Sequence, residues 1–191
     1  MKICETRVLN MLPLYDYRQA CKITEGKEVA ICWQPKNEKE YWIKQIVANH
    51  STLRSVKFRI VAEAPKSVIM QIIRATKGHP QPEVQSSRPD WNNGKERSSD
   101  PYEEKTFLHD HTAESFIEMA KQRLCVRTEK QTREFMKLLV GALKKSGNPF
   151  LEAVAECCHP VCWWYKACPE IKGCGKLESL ADKVIKGLRD E

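Results

Sequence analysis

The chain has 191 residues, of which 41% are hydrophobic and 30% are charged, and its formal net charge is +7. This composition is typical of a globular protein and excludes a chain that is disordered throughout. No apolar run approaches the roughly 20 residues that a membrane helix needs, and no apolar stretch follows the charged N-terminus as in a signal peptide. We therefore expect a cytoplasmic protein without a membrane partner. The positive charge favours anionic partners such as nucleotides, although interspersed Lys and Glu also describe an ordinary solvated surface.

The first half of the chain is predicted to alternate between strand and helix. Residues 1–27 are expected to form a strand and a loop, and residues 28–33 are apolar and β-prone. The apolar spacing over residues 37–48 predicts a helix. Residues 55–63 alternate between apolar and polar side chains as a half-buried strand does, and Pro65 then begins a second helix.

The second half is predicted to be mostly helical. Residues 77–83 contain a glycine and two prolines, which end the preceding helix, and the polar residues 89–105 form a long loop. Apolar residues at helical spacing from 112 to 145 predict one long helix with a short break near Thr128. Residues 175–191 are typical of a short amphipathic helix. The order of elements predicts an α/β or α+β fold in which helix dominates.

The densest group of ligand-capable side chains lies between residues 71 and 88. It consists of Gln71, Arg74, His79, Gln81, Gln85, Ser86, Ser87 and Arg88. Guanidinium groups bind phosphate in a bidentate manner, and serine hydroxyls add short hydrogen bonds. A glutamine amide donates and accepts at once, which suits the edge of a uracil ring. The alternative is a polar surface loop without a ligand.

Three blocks of sequence resemble the flavin-dependent thymidylate synthase family. Gln71-Ile72-Ile73-Arg74 followed by Gln85-Ser86-Ser87-Arg88 is similar to the family's Gln-x-x-Arg-His-Arg and Ser-x-Arg motifs. Asn49-His50-Ser51, before a strand that contains Phe58, resembles the family's His-containing turn and Phe-bearing strand. Arg123-Leu124-Cys125-Val126-Arg127 and Gln131-Thr132-Arg133-Glu134 resemble its long helix. The blocks occur in the family's order over residues 45–140.

The resemblance implies a small central sheet flanked by long helices, and a homotetramer whose active sites form where subunits meet. It implies an enzyme that binds FAD, reduces it with NADPH and transfers a one-carbon unit from methylenetetrahydrofolate to C5 of dUMP. The alternative is a non-catalytic pyrimidine-nucleotide-binding relative that has lost the flavin chemistry. Residues 1–156 would form the nucleotide- and flavin-binding domain, and residues 157–191 would form a Cys-rich segment and a C-terminal helix packed on it.

The resemblance also assigns nucleotide-binding residues. Gln71 would contact the uracil side of dUMP. Ser86 would lie beside the pyrimidine as a catalytic and substrate-binding residue, with Ser87 next to it, and Arg88 would hold the nucleotide. Arg133 would reach in from the long helix as a second catalytic and substrate-binding residue. Judged by spacing alone, the arginines of the long helix are better explained as surface charges.

The residues expected to bind the flavin are His50, Ser51, Arg74, Lys77 and His79. The first three follow from matching positions. Ala75-Thr76 stand where the family has His-Arg, so we expect Lys77 and His79 to supply the missing charge and imidazole.

Five of the nine cysteines lie within residues 157–174. Cys158, Cys162, Cys168 and Cys174 offer four thiol ligands, the number that tetrahedral zinc requires. Packed reduced thiols and a redox or cluster site are the alternatives. A zinc-stabilised nucleic-acid-binding protein is a third interpretation of the chain, but its basic residues are dispersed and no nucleic-acid motif is present, so we do not expect nucleic acid as a partner.

A second possible metal pair is the run His109-Asp110-His111. We expect it instead to form the approach to the long helix, with Thr112 as the N-cap.

Overall fold

A computed structural model of the chain describes residues 1–27, 34–75, 82–86 and 99–189. Within these ranges it contains four strands, eight α-helices and one 3-10 helix. The strands are β1 (Lys2–Val8), β2 (Lys57–Pro65), β3 (Glu83–Val84) and β4 (Glu104–Thr112). The helices are α1 (Pro13–Glu25), α2 (Glu38–Ala48), α3 (Lys66–Arg74), α4 (Ala113–Arg123), α5 (Lys130–Lys144), α6 (Pro149–Glu156), α7 (Val161–Tyr165) and α8 (Leu180–Arg189), and the 3-10 helix is Ser51–Ser55.

The strands form one antiparallel sheet in the order β1-β2-β4-β3. β2 alternates between buried and more exposed side chains, as a strand with one covered face does. Its covered face includes Phe58 and Ile60, which lie opposite His111 and His109 of β4 in the register. The core therefore lies on one side of the sheet.

Helices cover the buried face of the sheet. α5 packs against β1, α3 and α6, α2 packs against α6, and α4 contacts β4. Trp42 of α2 is fully buried, and its ring centroid lies 4.9 Å from that of Phe150 in α6. Phe58 in the sheet lies 5.5 Å from Phe116 of α4 and 6.2 Å from Phe150, again between ring centroids. These edge-to-face contacts join three helices to the sheet.

None of the helices described here is long and apolar enough to span a membrane.

The predicted mixture of helix and strand is confirmed, and so are three of the elements. The helix expected over residues 37–48 is α2, and the side chain of Asn37 caps it by accepting from the backbone N–H of Glu40. The strand expected over residues 55–63 is β2, and Pro65 directly precedes α3. The closer likeness to the fold of the synthase family stays a prediction.

The prediction for residues 1–27 is wrong after the first strand, because α1 occupies much of the expected loop. Pro13 stands at the first position of this helix, and Gly26 ends it in the left-handed region at φ 65°. Both are residue types that favour these ends. Tyr17 is the buried anchor of the helix, at 1% exposure.

The expected loop over residues 89–105 is wrong at its C-terminal end, where β4 begins. The His109-Asp110-His111 run is part of this strand, which leads directly into α4 as expected. The buried face of β4 carries Lys105, Phe107, His109 and His111, so the strand lacks the apolar alternation that a covered face usually shows.

The helix predicted over residues 112–145 is interrupted, as expected near Thr128, and residues 124–129 divide it into α4 and α5. The expected N-cap at Thr112 is confirmed, because its side chain accepts from the backbone N–H of Ser115. The C-terminal helix begins at Leu180, five residues later than predicted. The β-prone residues 28–33 lie outside the described residues, as does most of the predicted loop.

Candidate functional site

A polar cleft opens between α3, the end of α4 and the joining segment (residues 124–129) that connects α4 to α5. Its volume is about 450 Å³. The residues that line it are Gln71, Glu118, Lys121, Gln122, Arg123, Cys125, Arg127, Thr128, Glu129, Val161, Pro169 and Glu170. Two of the blocks that resemble the synthase family, those of Gln71 and of Arg123, therefore meet at this cleft.

Hydrogen bonds fix the joining segment at both ends. The hydroxyl of Thr128 donates to the carbonyl of Gln122 at 2.8 Å, which turns the chain back at the end of α4. The carboxylate of Glu129 accepts from the backbone N–H groups of Gln131 and Thr132, each at 2.8 Å, and thereby caps α5. The segment is therefore a defined turn that presents its side chains to the cleft.

Arg133, which the sequence predicts to bind the nucleotide, lies in the first turn of α5 and reaches the joining segment. Its Nη1 donates to the carbonyl of Val126 at 2.8 Å, and its Nε lies 3.9 Å from the carboxylate of Glu134. It is not among the residues that line the cleft. Arg133 therefore supports the wall of the cleft, and its direct contact with a nucleotide stays a prediction.

Arg123 brings to the cleft a cation that has no ion-pair partner among the described residues. Its Nε is buried and finds no hydrogen-bond acceptor within the described part of the chain. Burial, and secondly the positive charge of Arg74, lower the pKa of its guanidinium from the ordinary value. A buried N–H without an acceptor costs free energy until an acceptor is supplied. An anion in the cleft would accept this hydrogen bond and would offset the repulsion between the two arginines.

Two of the three carboxylates along the cleft are already engaged. Glu118 pairs with Lys121 one turn further along α4, and Glu129 caps α5. The third, Glu170, is exposed. Lys121 itself also lies over the ring of Trp164, with 4.9 Å between Nζ and the ring centroid. The positive charge best placed for a ligand is therefore that of Arg123.

Gln71 and Arg74 lie one turn apart on α3, as their spacing predicts. The helix buries Val68, Ile69 and Ile72 against the core. Gln71 is left half-buried at the cleft, and Arg74 is exposed in the last turn. These are the two residues of the first motif that the structure brings close to Arg123.

Ser86 lies at the β3 edge of the sheet. The backbone N–H of Gln85 donates to the carbonyl of Thr106 in β4 at 2.8 Å, which holds this short segment beside the strand. Ser86 is partly buried and does not line the cleft. Four other predicted site residues, Lys77, His79, Ser87 and Arg88, lie outside the described residues.

His50 and Ser51 lie at the start of the 3-10 helix and are exposed. This short helix contacts the beginning of α4, where Arg54 pairs with Glu114 at 2.8 Å. Arg123 is at the other end of α4, about 14 Å further along the helix axis at about 1.5 Å per residue. Within one chain, the predicted flavin residues at the 3-10 helix are therefore separated from the cleft by the length of α4.

The four predicted zinc ligands do not share one environment. Cys158 is buried in the core and its thiol donates to the carbonyl of Val154 at 3.2 Å. Burial raises the pKa of Cys158 well above its ordinary value, which disfavours the thiolate that zinc binds. Cys162, Cys168 and Cys174 instead line a smaller pocket together with Cys125. Among the described residues no group of three Cys, His, Asp or Glu is placed to hold a metal ion, and zinc at these cysteines stays a prediction.

The histidines of β4 both point into the core. The rings of His109 and His111 lie 3.9 Å apart between centroids, and Nδ1 of His111 is 3.2 Å from the hydroxyl of Ser115. Asp110 lies on the opposite face of the strand, where Arg59 donates two hydrogen bonds to it at 2.7 and 2.8 Å. This ion pair lowers the pKa of Asp110. The strand thus separates the carboxylate from both imidazoles.

Comparison with known proteins does not assign the chain to a family. No protein-family model matches it, and no curated protein matches it.

Two features of the cleft are not evident from the sequence. Arg123 has the same i, i+4 spacing to Arg127 as an ordinary pair of surface charges, and only its buried Nε distinguishes it. Cys125 is remote in sequence from the Cys-rich segment but shares a pocket with three of its thiols. The break in helical periodicity at Thr128 is the signal that places both residues beside a turn.

Proposed function

We propose that the chain is a flavin-dependent thymidylate synthase-like enzyme, which transfers a one-carbon unit from methylenetetrahydrofolate to C5 of dUMP, and that it binds the nucleotide in the polar cleft. The observation that supports this proposal is the buried Nε of Arg123, which has no hydrogen-bond acceptor among the described residues and lies in a cleft that also contains Gln71. The sequence resemblance assigns Gln71 to uracil, and the cleft adds the cation that a 5′-phosphate needs.

The chemistry of the lining suits a pyrimidine nucleotide. The amide of Gln71 can donate to a uracil carbonyl and accept from the ring N–H at the same time. Arg123 can donate to a phosphate oxygen, a charge-assisted hydrogen bond worth about 1.5–3 kcal/mol. Arg74 and Arg127 add positive charge nearby, which favours the dianionic phosphate over a neutral nucleoside.

The described residues fit a flavin only in part. Arg74 exposes its guanidinium, which can pair with a flavin phosphate. His50 and Ser51 lie about 14 Å away at the other end of α4, so a flavin in contact with all three residues would have to span the length of this helix or lie between two chains, as the implied homotetramer provides. When bound, FAD reduced by NADPH would supply the hydride and the one-carbon chemistry, whereas the chain's own residues orient the nucleotide and hold its charge.

The second candidate is a nucleotide-binding relative without flavin chemistry, and one residue favours it. Ala75 stands where the synthase family has a histidine, and it is buried at 2% exposure at the end of α3. A methyl group packed in the core replaces the imidazole at this position. The nucleotide cleft does not depend on this residue, so the two candidates differ in flavin binding and not in nucleotide binding.

The two candidates can be separated by titrating the purified protein with dUMP and with FAD. dUMP binding is measured by calorimetry, and FAD binding is measured by the visible absorption spectrum, followed by addition of NADPH. The enzyme is expected to bind both ligands and to bleach the flavin band with NADPH. A colourless protein that binds dUMP but takes up no FAD would identify the non-catalytic relative, and a protein that binds neither ligand contradicts both candidates.

Substitution of the cleft arginine tests the assigned position. Arg123→Gln is expected to weaken dUMP binding about 10- to 100-fold, because it removes a charge-assisted hydrogen bond. Arg54→Gln is the matched control, since Arg54 is exposed and pairs with Glu114 away from the cleft. Equal losses of affinity in the two variants would show that only the overall charge matters.

A further inference from the structure

A second pocket adjoins the cleft on the side of the C-terminal segment. Its volume is about 160 Å³ and its walls are almost entirely apolar. Four cysteines contribute to these walls, namely Cys125 from the joining segment, Cys162 from α7, and Cys168 and Cys174 from the segment that follows α7. We refer to it as the thiol pocket. Nothing in the nucleotide-binding role of the cleft requires it.

The thiol pocket is built by fixed backbone. The N–H of Cys168 donates to the carbonyl of Glu178 at 2.8 Å, and the N–H of Leu180 donates to the carbonyl of Cys168 at 2.7 Å. Gly173 packs closely against this bridge, because a Cβ at that position would lie 3.0 Å from Sγ of Cys168. Such close approach favours glycine. These contacts fix the wall that carries Cys168.

The thiol pocket and the cleft share a wall. Residues common to the linings of both are Cys125, Arg127, Val161, Pro169 and Glu170. A ligand that places an anionic group beside Arg123 can therefore extend past Cys125 into an apolar space. The polar cleft and the apolar pocket together suit an amphipathic ligand.

We propose that the thiol pocket is a ring-binding subsite, which receives one aromatic ring from a ligand whose anionic group lies in the adjoining cleft. An apolar cavity of about 150 Å³ holds one benzene molecule, so the volume suits a single ring. Sulfur atoms make favourable contacts with the edges of aromatic rings, and here they come from three separate segments of the wall. The ligand class is thus an aryl or arylalkyl group that carries a phosphate or a carboxylate.

This subsite does not require that dUMP is the natural nucleotide. It requires only that the cleft accepts an anion. If the cleft is the dUMP site, an arylalkyl phosphate would compete with dUMP for Arg123. If dUMP does not bind, the ring-binding subsite can still be tested with simple phosphates.

The test compares the affinity of the full chain for inorganic phosphate, phenyl phosphate and benzyl phosphate by calorimetry. At least one of the two aromatic phosphates is expected to bind ten times more tightly than inorganic phosphate. Cys162→Phe, which fills the pocket without touching the cleft lining, should remove this gain and leave the affinity for inorganic phosphate unchanged. Leu177→Trp fills the pocket from another wall, and Leu188→Trp on the exposed side of α8 is the matched control.

A labelling experiment on the unmodified protein gives an independent readout. Bound aromatic phosphate should protect Cys162 and Cys174 from iodoacetamide, as measured by mass spectrometry, while the exposed Cys4 reacts at an unchanged rate. The proposal is overturned if neither aromatic phosphate binds more tightly than inorganic phosphate, if the gain persists in both pocket-filling variants, or if the two thiols are not protected.

Discussion

At the scale of single residues, burial determines the chemistry of the two adjacent thiols that follow α6. Burial raises the pKa of Cys157 from its ordinary value of 9.0 to about 11, and it raises the pKa of Cys158 as well. Both side chains belong to the hydrophobic core. Their thiols remain protonated at neutral pH in the absence of a metal ion, which favours a packing role over a nucleophilic one.

These raised pKa values predict a loss of stability in alkaline solution. Between pH 9 and about 11 the unfolded chain has lost the proton of Cys157 while the folded chain retains it. The protonated thiol of Cys157 therefore makes its full contribution to the free energy of unfolding below pH 9. The free energy of unfolding falls as the pH rises from 9 to about 11. Urea unfolding from pH 7 to 11 under reducing conditions should show a smaller fall for Cys157→Ala than for the unchanged protein.

The control for this experiment is the exposed Cys4, whose substitution by serine should leave the pH dependence as it is in the unchanged protein. Tyrosines and lysines that also titrate in this range are common to all three proteins and cancel in the comparison. The prediction is contradicted if the free energy of unfolding falls equally at alkaline pH in Cys157→Ala and in the unchanged protein.

At the scale of secondary structure, elements with strong periodicity were predictable and those with polar buried faces were not. The alternation of β2 identified both its position and its covered face. β4 was not predicted as a strand because the polar residues Lys105, His109 and His111 occupy its covered face. The sheet and α4 surround these side chains in the fold, and the sequence alone does not show this. α1 carried its Pro13 and Gly26 boundary signals, but too few apolar side chains recur between them for periodicity to reveal it.

The sequence likewise predicted only part of the candidate site. The helical spacing correctly placed Gln71 and Arg74 on one surface of α3. It did not reveal that Arg133 contacts the joining segment, because the path of that segment depends on local hydrogen bonds of Thr128 and Glu129. Tertiary contacts between the C-terminal segment and α4 likewise have no signature in the sequence.

The joining segment leads to a prediction about Arg133. Arg133→Met keeps the aliphatic stem but loses the hydrogen bond to the carbonyl of Val126, so we expect stability to fall by about 0.5–1.5 kcal/mol. Amide hydrogen exchange of the joining segment should accelerate, because its support from α5 is lost. dUMP affinity should fall less than it does in Arg123→Gln.

The comparison distinguishes two roles for Arg133. If Arg133 only supports the wall, its substitution should accelerate amide hydrogen exchange in the joining segment and lower the affinity for dUMP modestly. If Arg133 instead binds the nucleotide directly, as the sequence resemblance implies, Arg133→Met would cost as much affinity as Arg123→Gln and leave hydrogen exchange unchanged. Lys137→Met, on the exposed side of the same helix, is the matched control.

At the scale of the whole molecule, the arrangement of predicted ligand residues around α4 bears on assembly. His50 and Ser51 lie near its first turn, whereas Gln71 and Arg74 lie near its last. One chain thus presents two separated groups of predicted ligand residues, which we call half-sites. Two chains that place the start of α4 from one against the end of α4 from the other would bring the half-sites together, which is consistent with the symmetric oligomer that the resemblance implies.

This arrangement predicts complementation between two defective chains. His50→Ala and Gln71→Ala should each abolish combined binding of FAD and dUMP, because each removes one half of every site. Coexpression of the two variants should restore about a quarter of the sites, since wild-type halves from different chains then meet by chance in a symmetric assembly. FAD retained in the presence of dUMP is the measurement, and sedimentation equilibrium should give a multiple of the 22.1 kDa chain mass. A monomer, or coexpressed chains that bind no more FAD than either variant alone, would mean that the two half-sites never share a ligand.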